Sequence, residues 1–590
     1  MSDLVRAGNI LGVSRLCLSS LLLLLAGCNS PAFAAFQAEQ DKYASTSAAT
    51  EPESTGGEVA TGGASGADGA DGAGDASGES VGESTGDVSD AGDAGETNDA
   101  SGTGSAGDDT TDTDADSAGP PVGEADKPSI VAVTLPAKVY AAGPVPIEVQ
   151  AESTKVVRVQ LNGADIGELA SAGGGLFVGA LPVRGAIDEG SHDVEVIATQ
   201  GPYEDRRSAS FEVSTPEPGT MAWFKAGPAG SRTNRVALTP EGDTLEGGQV
   251  EVNKVQRPSL RKRSGVTGAE IWSVVLDTRE GSVADLAVLP DGRVWLAMNV
   301  RKVGDPSPQP RIALFDADGE PTGVEALGDL GQGVRGIAAD AEGGCFAGGY
   351  APAGTDLDIA FWRVNAAGVQ TLAKTWDYMP NQADPHTFWE FATDVVIKGN
   401  VAWVIGASNG YHVDEPQILA VRGVLVPMDL HTGKVIGPVI VAPVSGAYNQ
   451  SVFFGGGQHP DGVLVTGYAC DKDCTSYRIE TSLYTPTGQR PWHSWTSTGD
   501  SLRYGSDVVF DSQGRALVGG TISDKGLLRG YLFARVVGEK EPFPLFDHWF
   551  PTSNPSEVLA VIVDAYDRIF AAGYITANGS TQSRLSLIAG

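Results

Sequence analysis

Residues 505–550 read GSDVVFDSQGRALVGGTISDKGLLRGYLFARVVGEKEPFPLFDHWF. Two β-rich runs, SDVVF and RALVGG, flank the turn DSQG, and two more, GYLFARV and PFPLFDHWF, flank GEK. Runs of this kind joined by such short turns are hairpins, so the stretch predicts four antiparallel strands in sequence order. The pattern recurs through the second half of the chain. Its first turns are marked by Gly242, Gly292, Gly343, Gly399, Gly462, Gly514 and Asp567, spaced 50 to 63 residues apart. A period of this length is the mark of repeated supersecondary units. One four-stranded sheet of this size cannot cover both of its faces, whereas copies set radially cover each other. The expectation is an all-β chain with a seven-bladed β-propeller over residues 219–590.

The repeat, apolar residues followed by DxxG and then VGG or AGGY, resembles the seven-bladed β-propeller repeats of large bacterial surface lipoproteins of myxobacteria-like organisms. That resemblance implies the fold. Activity has to be argued from particular sites.

The N-terminus carries Arg6 and Arg15, then the apolar run LCLSSLLLLL, then Leu25-Ala26-Gly27-Cys28. The run is too short for a membrane span and has the form of a signal-peptide core over residues 1–27. The ending resembles the bacterial lipobox, which implies lipidation of Cys28 and cleavage before it. The competing interpretation is an ordinary secretory signal cleaved near Ala32-Phe33-Ala34. Acyl chains on Cys28 would hold the chain to a bilayer, so the expected location is the cell envelope, lipid-anchored at the outer membrane or cell surface. Residues 28–127 collapse to Gly, Ala, Ser, Thr, Asp and Glu. From 29 to 127 there are 22 acidic and two basic residues, −20 of the chain's net −35. Such a segment buries too little apolar surface to offset its ordering entropy and is expected to be a disordered acidic linker, roughly 50 to 60 Å across as a flexible coil.

Between 128 and 215 the strands SIVAVTLP, VPIEVQAE, VVRVQLNG, GLFVGALPV, HDVEVIATQ and SASFEVS follow one another, with Asn162-Gly163 a strong hairpin signal. Six or seven short strands in this length suit an immunoglobulin-like β-sandwich. Such domains commonly serve as spacers.

In the propeller, strands A to D should run outward from the axis. One side then carries the short A–B and C–D turns, and the other carries the B–C loops and D–A crossings. The long insertions, residues 377–394, 408–416 and 299–311, fall on the second side, where a partner is expected because function sits on variable loops over a rigid scaffold. His386, Phe388, Trp389, Tyr411, His412 and Asp414 form the candidate patch there. Asp285, Asp394 and Asp507 stand just ahead of apolar A strands, with Arg235 at the same point of the first copy, which places them at the channel mouth. They suit a cation or a basic group, or else they cap the turns by accepting backbone N–H bonds. Trp223, Trp272, Trp376, Trp495 and Trp549 fall in D strands and are expected to pack between blades.

Cys470 and Cys474 bracket three residues of a B–C loop and are expected to form a disulfide, while Cys345 reads as a buried small hydrophobe. Asp316-Ala317-Asp318-Gly319 lacks the later ligands of a calcium loop and suits a hairpin turn. No HExxH, GxSxG, Walker or dinucleotide motif occurs in a usable context, so no catalytic residue, metal or cofactor is assigned. The acidic balance argues against a nucleic-acid partner, which needs clustered Lys and Arg. A monomer bound to the membrane through its lipid, with a protein or glycan ligand, is the preferred expectation. A propeller glycosidase, lyase or dehydrogenase is the alternative. Finally, SRLSLIAG matches the third strand of the last copy, which lacks a fourth. TMAWFKA, residues 220–226, looks like a D strand without a copy of its own, and is expected to complete that sheet.

Overall fold

The computed structural model describes residues 127–590 except 141–142, 184–188, 215, 306, 330, 355, 379–388, 412–418, 444–447, 472–473, 475, 497–501, 525–526, 540–545, 551–553 and 578. The signal segment, Cys28 and nearly all of the acidic linker lie outside these residues, as do His386, Phe388, His412 and Asp414. Strands are the only regular structure among the described residues.

Residues 128–214 form two facing sheets. One orders Ser129–Thr134, Gly143–Glu152, Leu176–Val183 and Ala170–Gly173. The other orders Lys138–Val139, Tyr203–Val213, Gly190–Gln200, Val156–Leu161 and Ala164–Glu168, its first pair parallel. In Gly143–Glu152 burial alternates along PVPIEVQAE, which puts Val145, Ile147, Val149 and Ala151 in the core against Val157, Val159, Phe177, Val194, Val196 and Phe211. That is the period of a strand with one face covered. Asn162 and Gly163, with φ of 51° and 80°, make the two-residue turn between Leu161 and Ala164.

From Arg232 onward, four-stranded antiparallel units follow one another, each paired in chain order. The first is Arg232–Leu238, Thr244–Val252, Val255–Arg263 and Glu270–Val275. The second is Glu280–Val288, Val294–Arg301, Gln309–Phe315 and Pro321–Leu327, and the third is Gly333–Ala339, Cys345–Ala353, Asp356–Val364 and Gln370–Trp376. The fourth comprises Trp389–Lys398, Val401–Tyr411, Leu419–Asp429 and the short Ile440–Val441, and a single parallel bridge, Leu357 to Trp389, links it to the third. The fifth is Tyr448–His459, Gly462–Asp471, Tyr477–Tyr484 and Trp492–Trp495, and the sixth is Arg503–Phe510, Arg515–Asp524, Leu527–Val536 and Phe546–Trp549. The last unit takes Ser556–Val563, Ile569–Ala577 and Ser580–Ile588 from the C-terminal part, with Met221–Ala229 as its fourth strand. Trp223 is there opposite Leu587 and Lys225 opposite Leu585, the pairing expected for residues 220–226.

Consecutive A strands touch one another, and the A strand of the first unit touches that of the last, so the units close into a ring with A innermost. This is a β-propeller. Apolar clusters lie between neighbouring sheets: Leu245, Val283, Leu296 and Phe315 between the first and second units, for example, and Leu517, Val558, Ile569 and Ile588 between the sixth and last. Each A–B turn bends sharply. Gly242, Gly292, Gly343 and Gly514 take φ near +84°, and Asp567 takes +57° in the same role. The fifth turn differs: Gly462 is there because a Cβ would lie 2.0 Å from the Tyr484 carbonyl oxygen. Trp223, Trp272 and Trp376 are half-buried against the inter-sheet clusters, whereas Trp495 is exposed.

Candidate functional site

Every A strand carries a bulge at the same place. Its pairing slips between Thr233 and Arg235, Val283 and Asp285, Val334 and Gly336, Ala392 and Asp394, Phe453 and Gly455, Gly505 and Asp507, and Val558 and Ala560. The residue just after the slip is Arg235 in the first unit. In the following units it alternates between aspartate and a small residue: Asp285, Gly336, Asp394, Gly455, Asp507, Ala560. The three aspartates and Arg235 are therefore equivalent, as expected, but they lie within the inner strands and not at the channel mouth. The strands begin several residues earlier than the apolar pattern suggested, because Glu280-Gly-Ser and the residues from Trp389 pair as well as the hydrophobic stretch does.

Both oxygens of each aspartate are occupied by backbone. Oδ1 accepts the next N–H of its own strand: Leu286 at 2.8 Å, Val395 at 2.7 Å and Val508 at 2.8 Å. Oδ2 accepts an N–H from the A strand of the following unit: Ile337 at 2.7 Å, Gly456 at 2.8 Å and Val561 at 2.9 Å. Each aspartate thus joins two inner strands where the bulge has freed their donors. The alternating glycines seat the remaining junctions. A Cβ on Gly336 would lie 2.5 Å from Asp394 Cα, and one on Gly455 would lie 2.7 Å from Asp507 Cα. Arg235 donates to the Leu559 carbonyl of the last unit (3.2 Å) and stands 3.4 Å from Asp285, while Asn234 donates to Val283 O (2.7 Å).

Burial pushes the Asp285 carboxyl up to about 7 and that of Asp507 up to about 6, against the pull of Arg235; Asp394 is raised for the same reason. Burial also works against the Arg235 cation, but Asp285, Asp394 and Asp507 outweigh it and hold its pKa above the usual value. The cluster has the charges to attract a basic group, yet its carboxylate oxygens are already engaged in holding the ring together.

The side of the B–C loops and D–A crossings carries a second group. The first three strands of the fourth unit are long, 10, 11 and 11 residues. Trp389 and Tyr411 belong to them and not to loops: Trp389 opens the A strand, and Tyr411 ends the B strand opposite Leu419. Aromatic residues suit strands, and here they extend the sheet into what the sequence pattern marks as insertion. Trp389 is half-buried and stacked on Phe391, centroids 5.2 Å apart. Next to it Asp358, Asp377 and Glu390 bring one carboxylate oxygen each within 4.8 Å of one another. Glu390 is almost fully buried, accepts from Ser408 Oγ (3.3 Å) and the Tyr378 N–H (3.4 Å), and is pushed up to about 8 by burial, with Asp377 and Asp356 adding to the rise. Asp358 is raised by burial and by Asp377. Hard oxygen donors grouped in this way could hold a divalent cation. Single-sequence inspection missed this trio, because its members come from two units on either side of a long insertion.

Cys470 and Cys474 are paired, S–S 2.11 Å, beside an aromatic cluster that includes Tyr468, Tyr477 and Tyr504. Cys345 is buried and free, and burial raises its thiol pKa well above the ordinary range. Asp316-Ala317-Asp318-Gly319 is a hairpin turn in which Asp316 Oδ1 accepts the N–H groups of Asp318 and Glu320.

Fold and site together define a β-propeller protein preceded by a β-sandwich. No protein-family model matches the chain, and no curated protein matches it. Among solved structures it is similar to the hydrazine synthase of Kuenenia stuttgartiensis, at 12% identity and TM-score 0.38, with 60% of this chain and 94% of that one covered. It is similar to the polysaccharide lyase Uly1 at 9% identity and TM-score 0.40, covering 60% and 90%. It is also similar to the β-propeller domain of the trilobed protease from Pyrococcus furiosus, at 8% identity and TM-score 0.35, covering 62% and 94%.

Proposed function

We propose that the protein is an exported lipoprotein, anchored through Cys28, whose seven-bladed β-propeller and immunoglobulin-like sandwich present a binding surface for a protein or glycan. The observation that carries this proposal is the group of side chains on the long-loop side where the third and fourth units meet. There extended strands, the Trp389 ring and the Asp358, Asp377 and Glu390 carboxylates gather beside the insertion holding His386 and Phe388. The axial aspartates favour a binding module over an axial enzyme, since their oxygens accept backbone N–H groups and lack the freedom of a general acid or nucleophile. Tyr411, His412 and Asp414 complete the proposed surface.

One observation favours an enzymatic alternative. Glu390, raised to about 8 beside two further carboxyls, has the protonation of a general acid, which suits a glycosidase or a lyase. A soluble Cys28→Ala protein tested on a glycan array, against candidate envelope proteins and against a polysaccharide cleavage panel separates the two. Saturable binding lost in Phe388→Ala with His412→Ala, without turnover, supports the module. Turnover abolished by Glu390→Gln supports the enzyme, and neither binding nor turnover would reject both.

A further inference from the structure

Between the sandwich and the ring the chain has little freedom. The Ser214 N–H donates to Val139 O (2.9 Å) on the sandwich side. On the ring side the Gly219 N–H donates to Ala589 O (2.9 Å), and the Ala589 N–H donates to Thr220 O (3.0 Å). Residues 215–218 are all that lie between these anchors, and Pro216 and Pro218 have φ fixed by their rings.

A turn of the first unit reaches back across this hinge. Val266, between strands C and D, is 7% exposed and belongs to the apolar core of the sandwich, together with Val145, Val213 and their neighbours. Its carbonyl accepts the Trp223 Nε1–H from the strand that closes the ring (3.2 Å). Arg568, on the A–B turn of the last unit, is buried although it stands on a hairpin. Its Nε donates to Asp564 Oδ2 (2.5 Å) and its Nη1 to Gly265 O (3.1 Å). Sandwich residue Gly143 lies so close that a Cβ there would be 2.9 Å from Arg568 Cζ, and its φ of +140° also favours glycine.

We infer that Val266 and Arg568 latch the sandwich onto the short-turn side of the ring at the junction of the first and last units, fixing its orientation and leaving the long-loop side as the accessible one. Val266 supplies the apolar contact that a four-residue hinge needs to hold one angle. Arg568 lies flat beneath Gly143 and ties the turns of both units together. The functional meaning of the latch rests on the long-loop side being the binding surface; the latch itself does not.

Hydrogen exchange on the full chain tests it, comparing the wild type with Val266→Asp, Val266→Ala and the control Val303→Asp, which alters an exposed loop on the opposite side. The expected result is protection of residues 143–147, 214–220 and 264–268 in the wild type. Val266→Asp should accelerate exchange there by about tenfold or more, with inner strands unchanged. Val266→Ala should show the same pattern more weakly, and the control should show none. Free-peptide exchange rates at 264–268 in the wild type would overturn the latch, as would variants that leave 143–147 and 214–220 unaltered. Failure to find any ligand would overturn the binding proposal and leave this result standing.

Discussion

Asp507 accepts one N–H from its own strand and one from the next unit, so replacing either oxygen by an amino group sets donor against donor in a buried place. Asp507→Asn and Asp394→Asn should therefore each cost about 2 to 3 kcal/mol in denaturant unfolding, with faster exchange of the Val561 or Gly456 amide. Asp291→Asn, on an exposed turn, should stay within about 0.5 kcal/mol. Acidity should act in an unusual direction. Asp507, Asp285 and Glu390 titrate near 6, 7 and 8 in the folded chain, above the unfolded values of 3.8 for Asp and 4.5 for Glu. The folded state then binds more protons than the unfolded one across that window. Stability from these groups is full below about pH 4 and is lost as pH rises through 6 to 8. The carboxylate of Asp277, held low by Arg279 and Arg311 against its burial, acts oppositely and loses its contribution only below its ordinary range. The melting temperature should fall from pH 5.5 to 8.5, and the slope should flatten in Asp285→Asn. The place of these aspartates in the repeat was legible in the sequence. Their partners were not, since Ile337, Gly456 and Val561 lie 52 to 62 residues onward and are chosen by the bulge.

At the scale of single elements, the strand Met221–Ala229 carries most of the ring closure, through its pairing with Ser580–Ile588 and through Trp223 against Phe570. Trp223→Ala should lower stability by about 2 to 4 kcal/mol, and removing the strand should abolish the cooperative melt of the whole ring. The bond between Cys470 and Cys474 closes so short a loop that its reduction should cost about 2 kcal/mol at most. Thiol counting on denatured, unreduced chain should find Cys345 free and this pair blocked. Hairpins were the most legible elements, because Asn162-Gly163 and the repeated turn glycines are local signals. Strand ends on the long-loop side were the least legible. Trp389 and Tyr411 read as loop residues because nothing in their immediate neighbours reveals that the strands of the fourth unit run on to include them, and the Asp358, Asp377 and Glu390 group is hidden because its members come from two units on either side of a long insertion.

On the scale of the whole molecule, the proposed anchor predicts that Cys28→Ala moves the protein from the membrane fraction to the soluble one; tight retention after that change would reject it. The pairing of Met221–Ala229 with Ser580–Ile588 has one more consequence, and it concerns time. Residues 231 and 583 meet across a sequence separation of 352, so the contact that seals the ring cannot form until almost the whole ring has been made. Up to that moment a strand bearing Trp223 and Phe224 has no strand to pair with. The first six units, whose strands are consecutive, can assemble as they emerge, but closure waits on a long-range encounter and is expected to be the slow step. If the chain is exported as proposed, the interval between the arrival of the first outer strand and that of its partner is a window of exposure to aggregation. The rate of synthesis and translocation would then set how much of the protein reaches its final form.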